Sequence, residues 1–341
     1  MTKTAKKTII ICAASVAAVM LALVAFAAPY LLSGARQSAT IHVYPDMTTD
    51  VLADSISSVQ TEAFGSRVAT LLSLLDVDLA KRAGAYAVEE GESPLSIARK
   101  IRNKHQLAIK FTFQNVRTKN QLAERASTMF MMNKADLLKL LDDSTFCASM
   151  EKNVYTIANV FLPDSYEFYW AVSPEDFVKG IAKYAVRFWT DERKAKAVAL
   201  GLTPDEVCTI ASIVEEETAK SDERGKVARL YINRYKQGMK LQADATVKFA
   251  LGDFGIRRIT HAMLTCDSPY NTYKFEGLPP GPIRLPEKST IDAVLNAPEH
   301  NFTYMCAKED FSGYHNFTDN YATHLANARR YQAELNKRGI K

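Results

Sequence analysis

The 341 residues contain no CxxC, no HExxH, no Gly-rich phosphate cradle and no basic block beyond the first few positions. Each absence removes a class of function. Without a basic stripe, and with a formal net charge of only +5, the chain carries no electrostatic footprint for nucleic acid. The six histidines are dispersed, so neither a structural nor a catalytic zinc site is expected. The five cysteines do not form a disulfide framework. Cys12 sits in an apolar run, while Cys147, Cys208, Cys266 and Cys306 are widely scattered in a chain long enough to build its core without staples. A pyridoxal-dependent lyase would need a Schiff-base lysine beside a phosphate cradle, and the cradle is missing. No metal and no cofactor is expected.

What is present is an ordinary globular composition, 47% hydrophobic and 24% charged, in a length suited to two domains or three small ones. The first stretch departs from it. Lys3, Lys6 and Lys7 precede a run from Thr8 to Leu32 that holds no charge. About 20 such residues cross a bilayer as a helix. Ala25-Phe26-Ala27 resembles a small-x-small cleavage site, but a signal peptide's apolar region is only about 7–15 residues long, and this one runs on to Leu32. A retained anchor is therefore expected. Lysines before the span keep the N-terminus in the cytoplasm and put everything after about Ser33 outside the cytoplasmic membrane.

A short unit then recurs three times. IHVY, AYAV and IKFTF alternate like strands and end near Val43, Val88 and Phe113. Five residues on come Thr48, Ser93 and Thr118, good helix N-caps, followed by Leu52-Ala53, Ile97-Ala98 and Leu122-Ala123 at the first helical turns. Pro94 suits a first helical position. The middle copy, YAVEEGESPLSIARKIRNK, resembles a LysM carbohydrate-binding module through its Val-x-x-Gly-x-Ser run, which implies binding to N-acetylglucosamine polymers. Further on, FLPDSYEFYWAV crowds aromatic residues behind a Pro-Asp break, either a core corner or the floor of a sugar groove.

Thr203-Pro-Asp-Glu206 opens a helix with a capping box and Pro at the first position. At about 100° per residue, Val207, Ile210, Ala211, Ile213 and Val214 form one apolar stripe. Glu215 and Glu216 then fall roughly 110° and 150° from its centre, towards solvent, and Glu217 only about 50° away, on the buried edge. A carboxyl group in a partly apolar cleft has a raised pKa and can donate a proton near neutral pH. The other reading is an ion pair with Arg224 or Lys226, or a cap on a neighbouring helix. Later, KLQADATV reads as strand or loop, and SPYNTYKFEGLPPGPI as a Pro- and Gly-rich loop carrying Tyr270, Asn271 and Tyr273. Such a loop is either a sugar clamp or a plain turn.

The ordered set ASIVEEET, ERGKVARLYINR, GMKLQADATV, YNTY, GLPPGPI and HNF, with FLPDSYEF and the N-terminal anchor, resembles the MltG-type (YceG-like) endolytic murein transglycosylases over most of the chain. The resemblance implies an α+β protein: an anchor over 1–33, a small LysM-like α/β module region over 34–127, and a lysozyme-like, mainly helical catalytic domain with some strands over 128–341. It puts the catalytic glutamate at Glu217. Gln242, Asp244, Tyr270, Asn271 and Tyr273 become candidates for orienting glycan. The family usually has Pro where this chain has Ala245, which bears on the rigidity of that loop. A lytic transglycosylase needs one carboxyl group, because the substrate's own C6 hydroxyl attacks in place of an activated water. The resemblance further implies nascent peptidoglycan strands as substrate and peptidoglycan synthases as partners. The competing reading is an inactive, membrane-tethered glycan-binding scaffold.

Overall fold

Polar N-caps and apolar turns divide the chain into short, well-delimited elements. The computed structural model describes residues 3–256 and 258–339, and of residues 3–6, 8 and 9 the backbone alone. The side chains of Lys3 and Lys6, two of the three lysines that bear on orientation, thus lie outside the described set. Two compact units emerge, Met1–Ile109 with Glu167–Val172, and Lys110–Tyr166 with Ser173–Lys341. The sequence puts the end of the module region at 127; the compact units divide at 109/110.

The first unit begins with helix α1 (Lys3–Leu32). Its segment Ile10–Leu32 has 23 residues of mean hydropathy 2.7, none buried against the rest of the protein. At 1.5 Å per residue it is about 35 Å long, enough for a bilayer core of about 30 Å. This one N-terminal apolar helix fits a single-pass membrane anchor. Strand β1 (Ala39–Val43), helices α2 (Thr49–Val59) and α3 (Glu62–Leu74), strand β2 (Gly84–Val88) and helix α4 (Pro94–Arg102) follow. β1 and β2 are antiparallel, with Ile41 opposite Tyr86 and Val43 opposite Gly84. The three helices bury Leu52, Ile56, Val68, Leu72, Ile97 and Ile101 beneath them. Thr48 Oγ1 accepts from Val51 N, and Ser93 Oγ from Ser96 N, so two of the three expected caps close their helices here. Trp170, nearly buried, packs against His42 and Tyr44.

Strand β3 (Ala108–Phe113) and helix α5 (Lys119–Met129) complete the third strand–cap–helix copy, with Thr118 Oγ1 accepting from Gln121 N. The chain continues through α6 (Lys134–Leu141), α7 (Ser144–Ser149), β4 (Asp164–Tyr169, whose second half belongs to the first unit), α8 (Pro174–Phe188), α9 (Asp191–Ala199), α10 (Pro204–Glu217), α11 (Arg224–Lys236), α12 (Asp244–Leu251) and α13 (Lys288–Leu295). A hairpin of β5 (Tyr304–Ala307) and β6 (His315–Thr318) and the long helix α14 (Tyr321–Lys337) close it. The architecture is helix-rich, with two-stranded sheets only among the described residues.

Two cores support this unit. Phe111, Phe113, Phe130, Tyr166 and Phe177 make an aromatic cluster in which Tyr166 stacks on Phe113 with centroids 5.7 Å apart. Tyr166 is a core corner and not an exposed sugar floor, since only 1% of it is exposed. The larger core surrounds α10, which packs against α9, α11, α12 and α13. All eight residues from Val207 to Val214 are buried. Its start is closed as expected: Thr203 and Glu206 form a reciprocal capping box, and Pro204 takes the first position. Gly238, in the left-handed region at φ 66°, stops α11. One expectation fails: Asp244 to Val247 are the first turn of α12 and not a strand or loop.

The Pro- and Gly-rich loop is held against α10 by a buried link. Ile283 N donates to Ser212 Oγ at 3.0 Å, and Ser212 Oγ donates to Thr209 O at 2.7 Å. At Gly281 any Cβ would lie 2.5 Å from Tyr155 O, so only glycine lets the loop lie this close. Ser212→Ala would strand the Ile283 N–H in a dry environment at a cost of about 1–3 kcal/mol. The expected outcome is a thermal unfolding transition several degrees below that of the parent chain, with the far-ultraviolet circular dichroism unchanged. An unchanged transition would mean that the loop is held by other contacts.

Candidate active site

Three carboxylates occupy the last turn of α10, where no basic residue of the helix offsets them. Helix C-termini carry partial negative charge, so acids there are disfavoured. The protein compensates two of the three. Arg117 Nε and Nη2 clasp Glu216 at 3.0 Å each, and Arg284 Nη1 adds a bond of 2.8 Å. Arg284 Nη2 lies 3.0 Å from Glu215 and also donates to Asn115 Oδ1. Glu215 Oε2 accepts from Glu287 N and Thr290 Oγ1, both at 2.8 Å. The Glu215 side chain is only 4% exposed, and that of Glu216 17%. The solvent-facing placement of these two acids is therefore wrong: α10 is buried on nearly all sides, so distance from its apolar stripe leads into an ion-pair network and not into water.

Glu217 differs in having a phenol for a neighbour. It hydrogen-bonds Tyr231 on α11, a nearly fully buried residue. The residue as a whole is partly accessible, whereas its carboxyl group is set deep in protein. Burial, with the nearby charge of Asp244 as the next contribution, raises its pKa from 4.5 to about 7. The Tyr231 hydrogen bond and Lys248 pull the other way but do not win. Arg224 binds Thr290 Oγ1 at 2.8 Å, and Lys226 lies over Phe302 and Phe317, so both cations expected to compete for Glu217 are engaged elsewhere. Deep setting, partial access and a pKa near 7 together make Glu217 able to hold a proton at neutral pH and release it to a basic oxygen.

Other predicted positions divide into two groups. Asp244, at the start of α12, accepts from Tyr273 Oη at 2.6 Å; its charge acts on Glu217, and that of Glu217 acts on Tyr273. Burial, with the Asp244 bond, pushes the Tyr273 phenol well above its ordinary range. Gln242 joins through Arg234, whose Nη2 donates to Gln242 Oε1 at 2.5 Å. Gln242 itself sits at φ 50°, fixed by Gln242 N donating to Thr272 O. Thus Glu217, Gln242, Asp244 and Tyr273 are brought together. Tyr270 packs on Phe249 at 4.6 Å and near Tyr155, its phenol pushed up to about 12 mainly by burial. Asn271 is fully buried: its Nδ2 donates to Leu264 O and Cys266 O, and its Oδ1 accepts from Tyr273 N. It shapes the loop that carries Tyr273 and has no surface for glycan to touch. Sequence reasoning missed Tyr231 and Arg234 as site residues. Tyr231 lies among the buried residues of its helix, and a phenol in that row of apolar positions is the signal that could have found it.

The class that fold and site define is a helical domain built around one proton-holding carboxyl group at the end of a buried helix. The sequence model of the YceG-like family matches residues 41–330, and the chain belongs to that family. Among curated proteins it is 28% identical over 279 residues, 75% of each chain, to a Bacillus subtilis protein named endolytic murein transglycosylase. It is 37% identical over 111 residues to a Streptococcus pneumoniae protein of the same name, covering 31% of this chain and 20% of that one. Among solved structures, a YceG-like protein of Listeria monocytogenes matches its fold with a TM-score of 0.55 at 24% identity, covering 85% of this chain and 99% of that one.

Raising a carboxyl pKa costs folding energy wherever the group is ionised. Glu217 contributes no penalty below its unfolded value near 4.5; the penalty grows as pH rises towards 7 and is complete above it. The shift corresponds to at most about 3 kcal/mol, with partial exposure reducing it. Glu217→Gln should therefore raise the unfolding temperature at pH 8.5 and leave it nearly unchanged at pH 4. An equal change at both values would show that Glu217 is not strained by its charge.

Proposed function

We propose that this protein is a membrane-anchored endolytic lytic transglycosylase that cleaves the bond between N-acetylmuramic acid and N-acetylglucosamine in nascent peptidoglycan. The observation that carries the proposal is the single carboxyl group of Glu217, held near pKa 7 and away from the arginines that neutralise its neighbours. Family membership and the names of the relatives support it.

Protonated Glu217 gives its proton to the glycosidic oxygen as the bond to C1 breaks. The C6 hydroxyl of the same muramic residue then attacks C1 and returns its proton to Glu217, leaving a 1,6-anhydro end. No water is consumed and no second carboxyl group is needed, in contrast to the usual pair in glycosidases. Intramolecular attack also gains from proximity. Asp244, Tyr273 and Gln242 are proposed to orient the sugar and face the developing positive charge, with Tyr270 as an aromatic wall. The lysozyme-like character of the catalytic region, taken as 128–341, is part of the same proposal.

Residues 34–127 are proposed to hold a LysM-like glycan-binding module, supported by the folding of the Val-x-x-Gly-x-Ser run as strand, turn and capped helix. Co-sedimentation of the full chain with purified sacculi, competed by N-acetylglucosamine oligomers, tests this; absence of competition overturns it. The proposed topology keeps the N-terminus in the cytoplasm and the catalytic unit outside. Protease added to intact spheroplasts should then remove the catalytic unit, and full protection would refute that topology. Peptidoglycan synthases are the proposed partners, and failure of crosslinked protein to co-purify with any of them would count against it.

Glu217→Gln should lower the release of anhydro-muropeptides from sacculi by about 10²–10⁴-fold, the contribution of a positioned general acid–base. Equal product from parent and variant would remove Glu217 from the mechanism, and no product from the parent would favour the inactive scaffold. A second readout is the pH profile. Activity requires the protonated acid at the start, so it should fall as pH rises through about 7. Tyr231→Phe removes a hydrogen bond that favours the ionised form and should move this limb to higher pH; Asp244→Asn removes a repelling charge and should move it lower.

A further inference from the structure

A groove of about 950 Å³ in the second unit lies not at Glu217 but around the other end of α10, where Pro204 and Asp205 line it. Its floor includes Val160, Ala185 and Trp189. Its rim carries Lys183, Arg187 and Lys194, all exposed and none of them among the described ion pairs, against one exposed acid, Glu151; Arg187 also lies over the Tyr184 ring. At one side Lys152 grips both oxygens of Asp205 at 2.9 Å, and Asn159 Nδ2 donates to the same carboxylate at 2.9 Å. That carboxylate is thereby neutralised. The bond to Asp205 also fixes the orientation of the Asn159 amide, and its Oδ1 is left without a partner in a residue only 4% exposed. An unpaired buried acceptor costs free energy that a ligand donor can relieve.

We propose that this groove is a second substrate site for the acidic peptide substituents that peptidoglycan strands carry. The inference rests on the transglycosylase reading for its substrate class. Two features point to one chemistry: unneutralised cations call for carboxylates, and the apolar floor for short alkyl side chains; the sealed Asn159 amide oxygen would accept a backbone N–H only where the floor shifts to uncover it. A phosphate has no alkyl side chain for the apolar floor, and a glycan stripped of its peptides keeps only the lactyl carboxylate of its muramic residues, with no peptide side chains to fill the groove. Scale agrees as well. From Asp205 to Glu217 α10 rises about 18 Å, and an extended peptide of about five residues reaches ~17 Å. The peptide is therefore borne on a sugar displaced from the scissile bond towards the groove, while the bond itself lies at Glu217. Grip at this distance would select peptide-bearing strands and fix where along them Glu217 acts.

The test has a binding arm and a kinetic arm, both on the full chain in detergent. In the first, a synthetic acidic stem peptide is titrated into Glu217→Gln protein while Trp189 fluorescence is followed, with Trp189→Phe as the control for signal origin. Combined Lys183→Ala, Arg187→Ala and Lys194→Ala should weaken binding at least tenfold, as should amidation of the peptide carboxylates. In the second, the same triple variant should raise KM at least tenfold on peptide-bearing strands, leave kcat within about twofold, and leave cleavage of peptide-stripped strands unchanged. Equal binding of the amidated peptide, no effect of the triple variant, or an equal loss on stripped strands would overturn the proposal. Peptide binding without anhydro products from the parent would retain the site and refute the transglycosylase reading instead.

Discussion

The structure depends on one electrostatic constraint, three consecutive carboxylates at the negative end of a buried helix. Left alone they would repel one another and the helix carbonyls. Arg284 answers Glu215 and Glu216 together, and Arg117 clasps Glu216 from the segment before α5. Because Arg284 follows directly on the Pro- and Gly-rich loop, neutralising the acids also draws that loop against α10. Ser212 adds a neutral tie at Ile283, next along the chain from Arg284. The same contacts that make the acid run tolerable therefore place Tyr273 and Asp244 beside the one acid left uncompensated.

That remaining acid is expensive. Its charge is opposed by burial and by Asp244, and is supported by the Tyr231 phenol and the charge of Lys248. A protein optimised for stability alone would pair or replace it. The strain is the feature that makes a proton available near neutral pH, so stability and proton transfer oppose each other at this position. Tyr231 moderates the conflict. Its hydroxyl stabilises the ionised form enough to let the proton leave, without the full neutralisation that an arginine would bring.

The fold was most legible where local chemistry decides it. Thr48, Ser93, Thr118 and Thr203 cap the helices they were expected to cap, because a hydroxyl accepting from the third backbone N–H is a short-range event. The apolar N-terminal helix was legible for the same reason. The environment of the acids was not. Helical phase assumes one buried face, and α10 buries eight consecutive residues, so Glu215 and Glu216 were sent to solvent when their partners lie on segments about 70 to 100 positions away. Asn271 misled in the opposite direction: an amide in a polar loop reads as a ligand contact, yet three bonds within its own loop consume it. Tertiary distance in sequence, not residue type, separates what could be read from what could not.

At Ala245, where the resemblance implies a proline, the structure shows how the turn is held without one. The position lies in the first turn of α12, where backbone N–H groups have no helical acceptor, so a proline fits there and its loss removes no helix bond. What proline would add is a fixed φ. Here the turn is fixed by other means: Thr246 Oγ1 donates to Ala243 O at 2.7 Å and lies 2.8 Å from Thr272 Oγ1, which accepts from Ala243 N at 3.0 Å. All three residues are buried. Gln242 N reaches Thr272 O as well, so three contacts bind the start of α12 to the loop that bears Tyr273. Rigidity at Asp244 therefore comes from a buried threonine pair between two segments, which holds the carboxylate relative to Tyr273 more directly than a proline within one segment could.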